Sequence, residues 1–372
     1  MQSALDNPES NAMHHRRIEG LDLFRGVVAL AVVLYHFRGY LSIPWMGFAY
    51  IAVDLFFVLS GIVLGMKYTD AIANGMPILT FARIRLQRLY PMVVVVGAFV
   101  AVLNLLGVAP GFAFPASNHA VWRIFALWPL SEGPVNEGAF PVDGPMWSLW
   151  AELAVNALWF PIVRYRRRWI GAVGVLAMLG MLVLTWHLRD LNYGMAPGGV
   201  SRLMALLRAL AWFSVGCWIG RRDGRRVLPV LASLALFLGM IVAAVLTGHG
   251  GYRSHLLIVV AGCVLLHSLY HAPIVWAPLS GISRMLGVLS YPLYLIHAPA
   301  GRLLPQDGSL AVHWAGVLLL IIGIAAPAAV VNEWLVGWIH RLAPRRRAAV
   351  ETVPEVLPTP NDAEAPAAAS GP

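Results

Sequence analysis

Charged residues are scarce in this chain of 372 residues, of which only 12% are Asp, Glu, Lys or Arg. A soluble domain carries about 25% charged residues, so the scarcity excludes a protein whose whole surface faces water. Hydrophobic residues make up 59% of the chain. Apolar stretches of about 20 residues, the length that crosses a bilayer, recur between residues 21 and 339. The sequence therefore predicts a polytopic integral membrane protein.

The apolar stretches lack the alternation of apolar and polar residues that strands of a membrane barrel show, so the spans are predicted to be helices. Cysteine is rare as well. Cys217 and Cys263 both fall in apolar stretches, which gives neither a disulfide framework nor the spacing of metal ligands. His267 and His271 stand at i, i+4, but no third ligand is near them in the sequence. No metal or haem site is expected.

We predict an all-α fold of about ten transmembrane helices with both termini in the cytoplasm. The chain is divided into a cytoplasmic N-terminal segment at 1–20, a transmembrane domain at 21–340 and a disordered cytoplasmic tail at 341–372, which is too poor in apolar side chains to form a core. The connection 108–145 is the longest and is rich in aromatic residues, so it is predicted to be functional. The predicted spans are 21–38, 47–66, 89–107, 146–163, 169–187, 203–220, 227–247, 254–270, 285–303 and 313–339.

The basic residues are distributed unevenly between the two sides of the predicted membrane. If successive spans alternate in direction, 19 of the 27 Lys and Arg residues fall on one side and six on the other, while Arg25 and Arg208 lie inside spans. This positive-inside asymmetry assigns the richer side to the cytoplasm. The net charge of +9 is thus explained by topology. Membrane lipids are expected partners and nucleic acids are not.

Ionisable residues inside the predicted spans are candidates for function, because each is costly in hydrocarbon. Arg25 and His36 are eleven residues apart in the first span, so they share one face of a helix at a separation of about 16 Å. Asp22 stands one turn before Arg25 and is expected to pair with it. In the second span Asp54 needs a buried partner, for which His36 or an arginine of a neighbouring helix is the natural candidate. Ser60 follows on the same span. It is a candidate site residue, and the alternative is that it serves only in helix packing.

The third and fourth predicted spans carry further polar pairs. Arg85 and Arg88 stand three residues apart at the cytoplasmic edge, where they suit a phosphate-bearing ligand or serve as simple topology anchors. The fourth span opens with PMWSLWAEL, in which Ser148 and Glu152 lie four residues apart on one helical face. Both residues are expected just inside the outer boundary of the membrane.

The ninth predicted span, LGVLSYPLYLIHAP, has one polar stripe on an otherwise apolar helix, formed by Ser290, Tyr294 and His297 at i, i+4 and i+7. Each of these side chains could form a hydrogen bond to a neighbouring helix. Taken with Asp54 and Glu152, however, they put ionisable groups on several different helices. We expect these groups to converge on a shared interior cavity.

Five motifs in order resemble the acyltransferase-3 family of membrane O-acyltransferases over about residues 21–340. They are the Arg25-x10-His36 pair, VDLFFVLSG at 53–61, FxxxRxxRLxP at 81–91, WSLxxE at 147–152, which includes Trp147 and Ser148, and SYxxYLxH at 290–297. The resemblance implies ten helices and transfer of an acyl group, commonly acetyl from acetyl-CoA, to a hydroxyl of a sugar or other extracytoplasmic acceptor. Some relatives carry an additional esterase-like domain, and this chain is expected to be a stand-alone member.

The residues and the resemblance together suggest a mechanism. Arg85 and Arg88 are expected to bind the phosphates of acyl-CoA, and Arg25, fixed by Asp22, to line the path of the pantetheine arm. His36 is expected to act as general base toward the acceptor hydroxyl, since a neutral imidazole suits that role.

Several side chains are expected to assist that base. Either Asp54 or Glu152 would orient His36, and Tyr294 with His297 would polarise the carbonyl or position the acceptor. Direct transfer is preferred to an acyl-enzyme on His36 or Ser60, because no nucleophile with an adjacent base is visible.

The acceptor is expected to be a cell-surface or lipid-linked carbohydrate, and the location the cytoplasmic (inner) membrane, with multiple passes. A transporter or flippase is the alternative, because ten helices with buried ionisable residues also fit a transport pathway. The absence of visible inverted halves disfavours it. The remaining members of the predicted site are Ser60, Trp147, Ser148 and Ser290.

Overall fold

The computed structural model describes most of the predicted transmembrane domain. The described residues are 18–107, 124–127, 129, 140, 143–191, 199–222, 227–247, 251–271, 277–305 and 307–342. Outside them lie the predicted disordered tail except residues 341–342, which are helical, most of the N-terminal segment, and most of the connection 108–145, including Trp122 and His119.

Helices account for most of the described residues, and no strand occurs among them. A 3₁₀-helix at Pro44–Ile51 precedes α2, another at Arg167–Trp169 follows α4, and a π-helical turn at Ile321–Ala325 joins α10 to α11. The helices are α1 Glu19–His36, α2 Ala52–Ala73, α3 Ile78–Leu105, α4 Met146–Arg166, α5 Ile170–Leu188, α6 Gly199–Gly220, α7 Val230–Leu246, α8 Tyr252–Tyr270, α9 Ala277–Gly301, α10 Leu310–Leu320 and α11 Ala326–Leu342.

Most predicted spans agree with the helices within a few residues. The third differs: α3 begins at Ile78, whereas the predicted span begins at residue 89. The difference arises because the basic segment before the span continues the same helix, with Pro91 accommodated inside it. Arg85 and Arg88 are therefore carried on a helix that continues directly into the hydrophobic region. The ninth span is also longer at its start, since α9 begins at Ala277.

Within the described residues, seven helical stretches are long and apolar enough to cross a membrane. One of them, Met146–Leu188, has 43 residues and contains both α4 and α5, separated by the turn at Arg167–Trp169. Two further helices coincide with predicted spans but are not among these seven. Helix α1 carries three charged residues, and α7 is short, with 17 residues. The all-α polytopic membrane fold is confirmed, and the count of ten crossings stays a prediction.

Helices α2 and α6 make the most extensive helix–helix interface. Its centre consists of two glycine pairs spaced four residues apart, Gly61 and Gly65 on α2 and Gly216 and Gly220 on α6. A Cβ on Gly61 would collide with the backbone oxygen of Phe213, and the backbones of the two helices are in direct contact. Small residues at this spacing permit such close packing between membrane helices. The interface fixes the orientation of α2, which carries Asp54 and Ser60.

Helix α9 packs along α1, and together they form the second most extensive helix–helix interface. Gly287 makes the close approach possible, because a Cβ there would lie 2.8 Å from the Cβ of Asp22. At the other end of the interface His36, the last residue of α1, meets His297 of α9. The two helices that carry the first and last motifs of the sequence are thus direct neighbours.

Candidate active site

Two histidines from distant parts of the chain are in contact at the end of the α1–α9 interface. Nδ1 of His36 lies 3.1 Å from Nε2 of His297 and 2.9 Å from the backbone oxygen of Val32. Nδ1 of His297 lies 3.1 Å from the backbone oxygen of Leu293. His297 is fully buried, whereas the side chain of His36 remains exposed.

The partners of the two rings determine which nitrogens carry protons. A carbonyl oxygen only accepts, so Nδ1 of His297 donates to Leu293, and Nε2 of a neutral His297 is an acceptor. Nδ1 of His36, which faces Val32 O and this acceptor, must be the protonated nitrogen and donates to both in a three-centre bond. Nε2 of His36 then carries a lone pair. His297 thus holds His36 in the tautomer of a general base.

A hydroxyl pair links α9 to the first turn of α4, next to the histidines. The hydroxyls of Ser148 and Tyr294 are 2.7 Å apart, so one donates to the other, and the backbone oxygen of Pro145 lies 3.0 and 3.3 Å from them and accepts from the hydroxyl whose proton remains. The ring of Tyr294 lies 6.3 Å from that of His297. Side chains of the fourth and ninth predicted spans are therefore in contact at this point, and the shared interior cavity stays a prediction.

One turn further along α4, Glu152 joins three helices. Its Oε1 accepts hydrogen bonds from Oγ of Ser60 on α2, at 2.7 Å, and from Nη2 of Arg85 on α3, at 2.5 Å. Arg85 is buried and Glu152 is partly exposed, with 4% and 21% of their side chains accessible. Glu152 and Arg85, which the sequence assigns to different tasks, thus form one ion pair.

Beyond Arg85, on the side predicted to be cytoplasmic, cationic side chains from three helices lie close together. Arg88 on α3 is exposed, and the ammonium of Lys67 on α2 interacts electrostatically with Arg88 and with Arg25 on α1. The expected Asp22–Arg25 pairing is confirmed, with 3.1 Å between Nη1 and Oδ1. We call Arg25, Lys67 and Arg88 the cationic cluster. Like charges held together in this way suit a polyanionic ligand.

Asp54 has a different environment from the one expected of a residue that orients His36. It is fully buried and forms two hydrogen bonds with Arg208 of α6, at 3.1 and 2.8 Å. The guanidinium of Arg208 also lies 5.6 Å from the ring centre of Trp147, which holds this part of the WSLxxE motif in place. Of the two candidate partners of Asp54, the arginine of a neighbouring helix is the correct one.

The structure thus brings most of the predicted site residues into one column of side chains. It runs from Arg88 and Arg85 through Glu152 and Ser60 to Ser148 and Tyr294, and it ends at His297 and His36. The hydrogen bonds of His36 go to neither Asp54 nor Glu152 among the described residues, and Ser290 bonds to Gly287 O of its own helix, at 2.8 Å.

Sequence reasoning missed two functional candidates. Arg208 is an arginine inside a predicted span, and its cost in hydrocarbon was the signal that could have identified it. Lys67 is the only lysine of the chain, and in the sequence it is one of the 19 basic residues on the side assigned to the cytoplasm, which topology alone explains. Its position at the inner end of the second span, one helix away from Arg88, becomes informative only when the helices are packed.

Comparison with known families gives the site its chemical context. The family model described as an acyltransferase domain, acyltransferase 3, matches residues 18–332, which is most of the chain and includes every residue of the column. No solved structure is matched by this chain.

Curated relatives agree with the family match. The chain is 24% identical over 316 residues to the peptidoglycan O-acetyltransferase OatA of Listeria monocytogenes, covering 76% of this chain and 49% of that protein. It is 25% identical over 209 residues to the O-acetyltransferase OatA of Staphylococcus aureus, covering 52% and 34%. A third relative, protein 2 in the picA locus of Rhizobium radiobacter, is 31% identical over 153 residues, covering 37% and 78%.

The chain spans about half the length of the Listeria protein and about a third of the Staphylococcus protein, so the likeness to them concerns the helical part described above. The family match extends over far more than half of the chain. The chain therefore belongs to the acyltransferase-3 family and is a multi-pass membrane acyltransferase.

Proposed function

We propose that this protein is a membrane O-acyltransferase that moves an acyl group, most simply acetyl, from acyl-CoA to a hydroxyl of an extracytoplasmic carbohydrate. The bacterial cytoplasmic membrane is its proposed location. One observation carries the proposal: Nδ1 of an exposed His36 lies in hydrogen-bonding distance of His297, and Nε2 has no hydrogen-bond partner among the described residues. The printed activities of the OatA relatives, O-acetyl transfer and peptidoglycan as acceptor, support the carbohydrate.

The donor is proposed to bind from the side of the cationic cluster. Coenzyme A is made in the cytoplasm, and its phosphates cannot enter hydrocarbon. Arg25, Lys67 and Arg88 would hold those phosphates at the membrane edge. Arg85 would contribute less than the sequence suggests, because it is buried and paired with Glu152. The pantetheine arm would then follow the column toward His36, so that the thioester is brought to the opposite end.

The transfer step follows from the tautomer of His36. Nε2 of His36 accepts the proton of the acceptor hydroxyl as its oxygen attacks the thioester carbonyl, and His297 stays hydrogen-bonded to Nδ1 throughout. The tetrahedral intermediate collapses with cleavage of the C–S bond, and the leaving thiolate receives the proton from Nε2. The products are an O-acyl ester and free coenzyme A. General base catalysis of this kind contributes about 10²–10⁴-fold to the rate.

The remaining side chains of the column are proposed to position the reactants. Tyr294 and Ser148 share hydrogen bonds near the histidines and would orient the thioester carbonyl or the acceptor. Glu152 would hold α2, α3 and α4 together through Ser60 and Arg85, which sets the width of the path. Asp54 acts at a distance, since its ion pair with Arg208 fixes the helix that carries Ser60.

Radiolabelled transfer in proteoliposomes tests the proposal. Purified protein is given [¹⁴C]acetyl-CoA on the side of the cationic cluster and N,N′,N″-triacetylchitotriose on the other, and label in the sugar and in free acetate is measured. We expect label in covalent linkage to the sugar with the wild-type protein. His36→Ala should lower that rate by about 10²–10⁴-fold while the protein keeps its melting temperature, because the side chain is exposed.

Two results would contradict the proposal. Full activity of His36→Ala would remove the general base, and label that crosses the membrane without becoming covalently attached would favour the transporter. A panel of other hydroxylated acceptors, assayed in the same way, identifies the substrate if chitotriose is not accepted.

A further inference from the structure

A buried carboxyl group near the histidine end of the column has no role in the mechanism described so far. Asp143 lies just before α4, outside the membrane-spanning segments, and is only 1% exposed. Neither of its side-chain oxygens has a hydrogen-bond partner, and it forms no ion pair with the part of the chain that the structure describes. A buried carboxyl group in this condition costs free energy of folding.

The surroundings of Asp143 belong to the site. Two residues later, the backbone oxygen of Pro145 lies within hydrogen-bonding distance of the hydroxyls of Ser148 and Tyr294. The groups that interact electrostatically with Asp143 are Arg302, in the turn after α9, and the phenols of Tyr291 and Tyr294 on α9 itself. The unpartnered carboxyl therefore lies beside the hydroxyl pair, at the end of α4 and α9 where His297 meets His36.

Asp143 and Arg302 have complementary hydrogen-bonding character. A carboxylate only accepts hydrogen bonds and a guanidinium only donates them, so together they match a hydroxyl group, which does both. Arg302 is exposed, so a ligand in the solvent can reach its side chain. Burial raises the pKa of Asp143 well above the usual range of a carboxyl group, and the positive charge of Arg302 opposes that rise.

We propose that Asp143, with Arg302, forms a binding subsite for a polyhydroxylated sugar, in which the Asp143 carboxyl accepts a hydrogen bond from a hydroxyl next to the one that is acylated. This inference rests on the proposed function for the identity of the acylated group. The subsite holds the acceptor, and His36 removes the proton from the neighbouring hydroxyl. An orphaned acceptor in a dry environment discriminates strongly in favour of a ligand that supplies the missing donor.

Direct binding tests the subsite without requiring turnover. The full chain in lipid nanodiscs, with no acyl donor present, is titrated with N,N′,N″-triacetylchitotriose, and the Kd is measured by isothermal titration calorimetry. Because the raised pKa favours the uncharged form of Asp143, Asp143→Asn should raise the Kd by roughly 3–10-fold, the loss expected for one neutral hydrogen bond. Asp307→Asn, an exposed carboxylate in the loop after α9, is the matched control and should leave the Kd unchanged.

Thermal unfolding distinguishes a binding residue from a structural one. Because burial raises the pKa of Asp143, its contribution to stability is greatest at low pH and is lost as the pH rises through the pKa of the folded state. Asp143→Asn should therefore melt at a higher temperature than the wild type at pH 8, and this advantage should shrink at pH 5. A lower melting temperature at both pH values would assign Asp143 to the fold and overturn the proposal.

The binding and transfer assays separate the two hypotheses. If wild-type protein binds chitotriose and Asp143→Asn does not, the subsite stands even when no label is transferred, and only the proposed function fails. If Asp143→Asn binds as tightly as the wild type, or the wild type binds no chitotriose at all, the subsite is wrong, whatever the transfer assay gives.

Discussion

The α2–α6 and α1–α9 interfaces both carry charged or titratable side chains, but they differ in how completely these are satisfied. At α2–α6, Asp54 and Arg208 are 0% and 1% accessible and are matched by two hydrogen bonds. At α1–α9, Asp22 and Arg25 remain 10% and 19% accessible, and His36 is exposed. The first interface is closed to ligands and the second is open to them.

This difference distinguishes residues that stabilise the fold from residues that can take part in catalysis. A buried ion pair with all its partners has no bond left for a substrate and is costly to disrupt. A partly exposed pair or an exposed imidazole can still be reached by a substrate. Residues of the same type, each costly in hydrocarbon, therefore have opposite roles in the two interfaces. The expected consequences of substitution differ accordingly.

The largest effect is expected at the closed interface. Asp54→Ala leaves the guanidinium of Arg208 buried without its partner, so the free energy of unfolding should fall by about 3–5 kcal/mol. Thermal melting of the detergent-purified protein measures the loss. The double variant Asp54→Leu with Arg208→Leu removes both charges and should recover much of that stability. If Asp54→Ala melts like the wild type but is inactive, Asp54 is catalytic and the contrast between the interfaces fails.

At the open interface, His297 should affect turnover more than stability. His297→Leu removes the acceptor for Nδ1–H of His36, and kcat should fall by about 10²-fold, the lower part of the range for general base catalysis. His297→Gln can present an amide oxygen near the position of Nε2 and should retain more activity. Steady-state transfer assays compare the two variants. Equal losses in both would show that the hydrogen bond to His36 does not orient the base.

A third substitution concerns packing alone. Gly61→Ala places a methyl group against the backbone of α6, and overpacking of this kind should cost about 1–3 kcal/mol of stability. Gly239→Ala is the control, because α7 leaves open space at that glycine. Melting temperatures of the two variants should differ by several degrees. A normal melting temperature for Gly61→Ala would mean that the α2–α6 contact is looser than described.

The smallest effect is expected in the cationic cluster. Lys67→Gln should raise the apparent KM for acetyl-CoA by up to about fivefold, since an exposed charge contributes at most about 1 kcal/mol, and should leave kcat unchanged. Because Lys67 is the only lysine, its labelling by an amine-reactive reagent is followed readily by mass spectrometry. Acetyl-CoA should protect it, and S-acetylpantetheine, which lacks the nucleotide phosphates, should not. Equal protection by both would place the phosphates elsewhere.

Much of the architecture was predictable because hydrophobic length is a local property of the chain. The predicted ends of α5, at 169–187, differ by one residue from those observed. The predicted start of α3 was wrong because a basic amphipathic segment and an apolar span form one continuous helix. Hydropathy detects only the apolar span. Motif residues such as Glu152 and Tyr294 were identified from their cost in hydrocarbon, which requires no knowledge of the packing.

The role of each site residue was harder to predict than which residues belong to the site. Asp54 and Glu152 were both candidates to orient His36, and the structure gives this contact to His297 instead. Arg85 was expected to face phosphates, and it is buried against Glu152. In both cases the sequence identified the polar groups correctly but left several pairings open, because side chains on different helices have no fixed spacing along the chain.

The sequence by itself determined that this chain is a bundle of membrane helices with ionisable residues in defined spans, since apolar length and the cost of burying charge act on each segment separately. The tertiary structure alone decided which of those residues meet. Asp54 and Arg208 are 154 residues apart in the chain, and His36 and His297 are 261 apart. Such contacts depend on how glycine-lined helix faces pack, so the same polar residues become an anchor in one interface and a proposed catalytic pair in the other.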